Sequence, residues 1–177
     1  TQKPDGVLLE KVNGDMVLPF STSDGPTGFT SSGVATGFSH TAQGAALAAI
    51  HYMCWFMKPG SRTDRLQALV GQNIVDDDEL LRKAIAKPRT GFDLNVECTA
   101  TQLKVDYNPV LTKVRLGYGV IQKDGSRTNF MNVVIVEWRD GRWVLKLRAY
   151  GDDEPGGYYG PELVFDPAQG WVSWFQS

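Results

Sequence analysis

The residues best suited to chemistry in this 177-residue chain are its two histidines and the hydroxyl residues beside them. The segment Gly37-Phe38-Ser39-His40-Thr41 carries part of the G-x-S-x-G pattern that exposes a nucleophilic serine at a sharp turn before a helix. The second glycine is missing, and no strongly apolar strand precedes the segment. His51 lies inside the same predicted helix, and not downstream as a triad order requires. We therefore predict no catalytic residue here.

A metal site built on the two histidines is also unfavourable. His40 and His51 are eleven positions apart, so they share a helix face, but a rise of roughly 1.5 Å per residue separates them by about 16 Å. They cannot bind one ion without other ligands. We predict that His40 is a hydrogen-bonding residue at the helix entry and His51 a satisfied polar residue, with no metal and no cofactor.

Two further segments suggest ligand binding but lack the required spacing. Asp152-Asp153-Glu154 has no spaced ligands and no central glycine of a calcium loop, so we interpret it as a solvated loop. Gly117-Tyr118-Gly119 lies inside a predicted strand, which excludes a phosphate or dinucleotide loop and favours a bend or a close backbone approach. A formal net charge of −2 without a basic patch argues against a nucleic-acid partner.

Cys54 and Cys98 leave two interpretations open. Each is a small buried hydrophobic residue, or the two form a disulfide that joins the first long helix to the first long strand. A disulfide would indicate an oxidising compartment. Neither cysteine has the spacing of a metal ligand.

The elements that must position these residues begin with a predicted hairpin. Two short apolar runs flank Asn13-Gly14, a strong hairpin signal. Residues 21–37 are almost entirely Ser, Thr, Gly, Pro and Ala, which predicts a surface loop or tether. We therefore divide the chain into residues 1–37, the hairpin and tether, and residues 38–177, a single α+β domain.

Three helices are predicted next. Ser39 or Thr41 can cap the first, in which alanines and aromatic residues recur at helical spacing. Ser61-Arg62-Thr63-Asp64 resembles a capping box for the second helix. Four acidic residues at 76–79 favour the start of the third through the helix dipole.

After Gly91 the apolar period changes to two, which indicates strands. A change of parity near Thr101-Gln102 predicts a β-bulge in the first long strand. Asp124-Gly125 and Asp140-Gly141 then connect three strands of an antiparallel meander. The predicted fold class is therefore α+β: three N-terminal helices packed on a curved, bulged antiparallel sheet, cone-like, after a short N-terminal hairpin.

Such a cone can enclose a cavity, and the alternative is a filled core. The polar and aromatic residues that we predict on the cavity walls are Tyr52, Trp55, Asp93, Tyr118 and Trp138, with Asp93 as the best titratable group. Four C-terminal aromatic residues are either contacts to a partner or packing for the chain's own end. They are Tyr158, Tyr159, Trp171 and Trp174.

The order of elements from Phe38 to Tyr150 resembles the nuclear transport factor 2-like (cystatin-like) superfamily. That superfamily includes isomerases, dehydratases, polyketide cyclases and structural modules, so fold alone does not fix function. Residues 37–49 and the ending Gly170-Trp171-Val172-Ser173-Trp174 resemble actinobacterial proteins that are often membrane-anchored and associated with mobile elements. This resemblance implies an extracytoplasmic domain akin to scaffold subunits of type IV secretion and conjugation machines.

These observations lead to two functional expectations. The first is a non-enzymatic extracytoplasmic assembly domain with protein partners, including copies of itself, anchored to a membrane through a removed N-terminal segment. The first residue is Thr and not Met, which fits such processing. The alternative is a small-molecule-binding protein or cavity enzyme, isomerase-like or dehydratase-like, with the same fold.

Overall fold

The computed structural model describes residues 1–12, 16–57, 102–121, 124–146, 157–160 and 164–175. The N-terminal half of this described part holds four short strands and one α-helix, and the C-terminal half holds five strands and a 3₁₀-helix. In chain order the elements are β1 (Leu8–Val12), β2 (Met16–Phe20), β3 (Gly28–Phe29), β4 (Ala35–Thr36), α1 (Ala42–Met57), β5 (Gln102–Asp106), β6 (Leu111–Ile121), β7 (Arg127–Arg139), β8 (Arg142–Lys146), β9 (Gly157–Gly160) and the 3₁₀-helix η1 (Pro167–Gln169).

The prediction of three N-terminal helices on a sheet is wrong. Of the described residues, 46% lie in strands and 16% in helices, and one α-helix forms the whole described helical layer. The physical reason is that strands supply the described contacts of α1: β2 and β4 pack on it, as do strands of the large sheet. The second and third predicted helices fall within residues 58–101, outside the described residues, as does the predicted bulge at Thr101.

The N-terminal segment forms two hairpins. β1 and β2 pair antiparallel from Leu8 opposite Phe20 to Val12 opposite Met16, which confirms the predicted hairpin. β3 and β4 form a second, two-residue pairing within the stretch that was predicted as a tether. Val34 and Ala35 of that stretch are buried in the same core as α1.

Helix α1 is buried on all sides from Gly44 to Tyr52. Thr41 caps it, because its Oγ1 accepts a hydrogen bond from the Gly44 amide at 3.0 Å. The consecutive residues 45–50 have no exposed surface, which is typical of a helix in the middle of a core and not at its edge. No helix in the described part of the chain is long and apolar enough to cross a membrane.

The large sheet confirms the predicted meander. Its strand order is β5-β6-β7-β8, all antiparallel, and β9 also pairs with β7. One edge of β7 is paired with β6 throughout, and its other edge is divided between β8 along Ile135–Arg139 and β9 along Asn129–Asn132. β7 is therefore the central strand, as its apolar character on both faces predicts.

The two faces of the sheet have different coverings. The inner face packs on α1 through residues such as Val114, Leu116 and Val134. On the outer face, Met131 and Val133 form a second cluster with Phe165 and Trp171. After η1 the described chain makes one isolated bridge to the sheet, in which Val172 and Leu103 exchange two hydrogen bonds of 2.8 Å.

Candidate interaction site

The carboxylate of Asp24 fixes the chain segment that enters α1. Its oxygens accept hydrogen bonds from the hydroxyls of Ser23 at 2.6 Å, Ser39 at 2.5 Å and Thr41 at 2.6 Å. Burial raises the pKa of Asp24, but these three hydroxyl donors outweigh burial and leave the pKa lowered. Because Thr41 is also the helix cap, the loop at Asp24 and the start of α1 are held as one unit.

His40, between the two hydroxyl residues, is held by contacts to the sheet. Its ring stacks on Trp138 with centroids 4.0 Å apart and 5° between planes, and meets Trp143 edge-on at 5.5 Å. Its Nε2 lies 2.6 Å from the Pro109 carbonyl oxygen, so this nitrogen carries the proton and donates. Trp143 donates from its indole nitrogen to the Ser39 carbonyl at 2.8 Å. Helix start and sheet end are thus joined by polar and aromatic contacts.

The turn between β5 and β6 presents two apolar side chains to solvent. The Asn108 side-chain oxygen accepts from the amides of Val110 at 2.8 Å and Leu111 at 3.2 Å, an Asx-type turn. The Thr112 hydroxyl donates to the Asn108 carbonyl at 2.7 Å, and the Trp138 amide donates to the Val110 carbonyl at 2.8 Å. Val110 is nevertheless 62% exposed and Leu111 45% exposed.

Tyr107 completes this surface. This residue is 42% exposed, and its hydroxyl donates to the His40 carbonyl at 3.3 Å. We call the resulting set the aromatic shelf and define it by five residues that lie at the end of the sheet beside the start of α1: His40, Tyr107, Val110, Leu111 and Trp138. An exposed apolar patch on a rigid support is typical of a binding surface.

Charged pairs flank the aromatic shelf. Asp106 forms an ion pair with Arg115, and Glu137 accepts from Arg139 at 2.8 Å and Lys146 at 3.0 Å. Each of the two acids directly precedes a shelf residue in the chain. The hydrogen bonds from Arg139 and Lys146 lower the pKa of Glu137. An apolar centre with a polar border matches the anatomy of protein interfaces.

Four of the five residues predicted to line a cavity belong to or border one core cluster. Tyr52, Trp55 and Tyr118 are buried in the core around α1, and Trp138 packs against it. The Tyr52 hydroxyl donates a hydrogen bond of 3.0 Å to the Trp143 carbonyl. Burial raises the pKa of Tyr52 above its usual range. Trp138 belongs to the aromatic shelf, and Asp93 lies outside the described residues.

The predicted C-terminal contact residues fall into two groups, two tryptophans and two tyrosines. Trp171 and Trp174 are buried within the chain's own domain, the first against Phe165 with ring centroids 4.7 Å apart. The Trp174 indole nitrogen donates to the Thr1 carbonyl at 3.4 Å. Tyr158 and Tyr159 belong to β9, which pairs with β7. The side chains of β9 lie outside the described part.

His51 and Cys54 lie in the buried part of α1. His51 donates from Nε2 to the Pro19 carbonyl at 2.7 Å and meets the rings of Phe20 and Phe38 edge-on. Its Nδ1 is buried without a hydrogen-bond partner, so the prediction of a satisfied histidine is correct for one nitrogen only. Burial lowers its pKa to about 4. The bridge from Cys54 to Cys98 stays a prediction, because Cys98 lies outside the described residues.

In the described ranges, no three potential metal ligands lie close enough together to hold an ion. The sequence did not predict the aromatic shelf. Asn108-Pro109 has the composition of a turn, but the alternation that begins at Val110 predicts only the strand that follows it. The contact of His40 with Trp138 joins distant segments and leaves no local signal. Two consecutive apolar residues directly after a turn are the signal that the sequence offered.

The fold and the shelf define a mainly antiparallel β domain that encloses one helix and presents an apolar surface at the end of its sheet. The chain belongs to the family whose description is "Domain of unknown function (DUF8175)", and residues 1–163 match the family model. No curated protein and no solved structure matches it. Every residue of the aromatic shelf lies within the matched range.

Proposed function

We propose that this is a non-enzymatic assembly domain whose aromatic shelf binds the same surface on a second copy. The observation that carries the proposal is the exposure of Val110 and Leu111 on a turn that four hydrogen bonds around Asn108 and Thr112 hold in one conformation. Side chains that are exposed and already ordered are suited to binding, because little conformational freedom remains to be lost.

The free energies that the shelf side chains can contribute to binding support a moderate affinity. Full burial of a Val or Leu side chain contributes about 1.5–3 kcal/mol. Tyr and Trp, which are frequent among the dominant residues of interfaces, flank these two residues in the shelf. The surrounding ion pairs are exposed and contribute little affinity, but they set the orientation of a partner.

The cellular setting is part of the same proposal. The resemblance of residues 37–49 and 170–174 to membrane-anchored actinobacterial proteins supports an extracytoplasmic domain in a conjugation-like or type IV secretion-like apparatus. An assembly role agrees with the exposed aromatic shelf among the described residues.

Sedimentation velocity across a concentration series tests this function. The parent chain is expected to show a weight-average sedimentation coefficient that rises with concentration, and the double variant Val110→Ser/Leu111→Ser is expected to remain monomeric. Val164→Ser is the matched control, because Val164 is 68% exposed but lies outside the shelf. Sedimentation that is independent of concentration, or equal association by parent and double variant, would contradict the proposal.

A further inference from the structure

The helix entry, Ser39-His40-Thr41, is held from two sides. On one side, the hydroxyls of Ser39 and Thr41 both donate to the same carboxylate oxygen of Asp24, Oδ1, at 2.5 and 2.6 Å. The Ser39 amide also donates to the Asp24 carbonyl, at 3.1 Å. On the other side, the ring of His40 stacks on Trp138 of the sheet. His40, a member of the aromatic shelf, is therefore placed between two residues that Asp24 holds.

The loop that carries Asp24 is ordered by its own backbone; we call residues 21–25 the Asp24 loop. Ser21 and Gly25 exchange two backbone hydrogen bonds, of 2.9 and 3.1 Å, which close the loop. A Cβ atom at Gly25, where φ is +92°, would lie 2.5 Å from the Gly37 carbonyl oxygen, so only glycine lets the two backbones approach this closely. The carboxylate of Asp24 is therefore presented to the helix entry by a fixed support.

The two carboxylate oxygens of Asp24 have separate partners. Oδ1 accepts from the two hydroxyls beside His40, whereas Oδ2 accepts from Ser23, which belongs to the loop itself, at 2.6 Å. Asp24 is 8% exposed, so its partners lie in a site with little access to water. Loss of Oδ1 removes the acceptor of both hydroxyls at once, and a buried donor without an acceptor is costly.

The end of the sheet takes its position from the backbone of the helix entry. The Tyr107 hydroxyl donates to the His40 carbonyl at 3.3 Å, and the Trp143 indole donates to the Ser39 carbonyl at 2.8 Å. Both acceptors are main-chain atoms, so a displacement of this backbone alters the contacts of Tyr107 and Trp143 together. The stack on Trp138 depends on the same backbone, because it is made by the His40 ring.

We infer that Asp24 is the positioning residue of the aromatic shelf: its Oδ1 atom holds the helix entry so that His40 and the shelf residues it contacts keep one arrangement before a partner binds. Asp24 acts through the two hydroxyl residues beside His40, which are not members of the shelf. Side chains that are ordered beforehand lose less conformational freedom on binding. The consequence for assembly rests on the proposed function of the shelf, whereas the positioning itself is measurable in the monomer.

Nitrogen-15 spectra of the His40 imidazole and the Trp138 indole in dilute solution test the positioning in the full chain. Asp24→Ala removes both carboxylate oxygens. Asp24→Asn is the conservative variant, because its side-chain oxygen can accept from both hydroxyls at the helix entry while its amide group donates to the Ser23 hydroxyl. Ser23→Ala removes the donor to Oδ2 only, and is the control for a change within the Asp24 loop.

The parent, Asp24→Asn and Ser23→Ala chains are expected to show one His40 tautomer, protonated at Nε2. In Asp24→Ala we expect both tautomers of His40 and a shifted Trp138 indole. Gly117→Ala is the stability control, because it overpacks the outer face of the sheet and should leave both signals unchanged. Signals of Asp24→Ala that equal those of the parent, or the same change in Gly117→Ala, would overturn the inference.

Sedimentation velocity of the same variants connects the positioning with assembly. Asp24→Ala is expected to associate about tenfold more weakly than the parent, because the shelf side chains then have to be ordered on binding. Asp24→Asn and Gly117→Ala are expected to associate like the parent. An associating parent whose Asp24→Ala variant associates equally well would overturn the inference. A parent that does not associate would contradict the proposed function alone, since the spectra of the monomer still decide whether Asp24 positions the shelf.

Discussion

The rings of His40 and Trp138 lie face to face, 4.0 Å apart at their centroids. His40 precedes the first turn of α1, and Trp138 lies near the end of the central strand β7. Together with the bond from His40 to the Pro109 carbonyl, this stack joins the helix start, the β5–β6 turn and the sheet. The aromatic shelf is therefore held by contacts between three segments, and each contact can be removed by a separate substitution.

Replacement of His40 by Ala is expected to lower the free energy of unfolding by about 1–2 kcal/mol, since an aromatic pair contributes about 0.5–1.5 kcal/mol and a hydrogen bond a similar amount. His40→Phe keeps a ring on Trp138 but cannot donate to Pro109, so its loss should be smaller. Urea unfolding of both variants checks this. Equal losses in the two variants would show that the stack contributes nothing.

Replacement of Asp24 by Ala is expected to lower the free energy of unfolding by about 1.5–3 kcal/mol, because Ser39 and Thr41 both lose a charged acceptor. Ser23→Ala removes one donor only and should cost less. The folded-state pKa of Asp24 is lowered from 3.8, so its stabilisation is present above 3.8 and is lost as the pH falls through the folded-state value. Urea unfolding of the parent chain and of Asp24→Ala at several pH values measures the difference between their free energies of unfolding. A difference that did not shrink below 3.8 would contradict the carboxylate's role.

His51 is expected to make the fold sensitive to acid. Its pKa is lowered from 6.5 to about 4 in the folded chain, so between these values the unfolded chain binds the proton preferentially. Stability should therefore fall as the pH falls from 6.5 to about 4, by about 3 kcal/mol at roughly 1.4 kcal/mol per pH unit. His51→Gln, which can still donate to the Pro19 carbonyl, should remove this dependence. His40→Gln is the control that keeps it, and a pH profile unchanged in His51→Gln would disprove the assignment.

A methyl group at Gly117 is expected to displace Phe165. Because the added Cβ would lie 2.7 Å from the ring, Gly117→Ala should lower the free energy of unfolding by about 1–3 kcal/mol, as overpacking does. In the Phe165→Ala background the same substitution should be nearly neutral. A double-mutant cycle measured by denaturant unfolding gives this coupling, and additive effects would contradict the contact.

The local features of the fold were predictable from the sequence because local rules produce them. Asp-Gly turns and alternating residues predicted the β6–β7–β8 meander, and a hydroxyl at Ser39 or Thr41 predicted the start of α1, where Thr41 is the observed cap. Which elements pack on α1 was not predictable from such local rules. An Ala-rich helix accepts strands or helices equally well on its second side, and the polar composition of residues 21–37 concealed the strands β3 and β4.

The candidate site was less predictable than the fold. His40 was correctly interpreted as a hydrogen-bonding residue at the helix entry, but its acceptor at Pro109 is distant in sequence. Trp138 was predicted on a cavity wall as an aromatic residue of the sheet, and its residue type does not reveal that it lies beside the exposed β5–β6 turn. A surface formed by three separate segments produces no periodic pattern of apolar residues in any one of those segments.

The most direct test of the account is a concentration series of ¹H–¹⁵N correlation spectra of the full chain, in which each amide and indole reports on its own surroundings. We expect the amides of Tyr107, Val110 and Leu111 and the indole of Trp138 to shift or broaden together as the concentration rises, while Ser126 and Val164 stay unchanged. Changes confined to other surfaces, such as the exposed strand β1, with the shelf resonances constant, would contradict the claim that the aromatic shelf is the assembly surface.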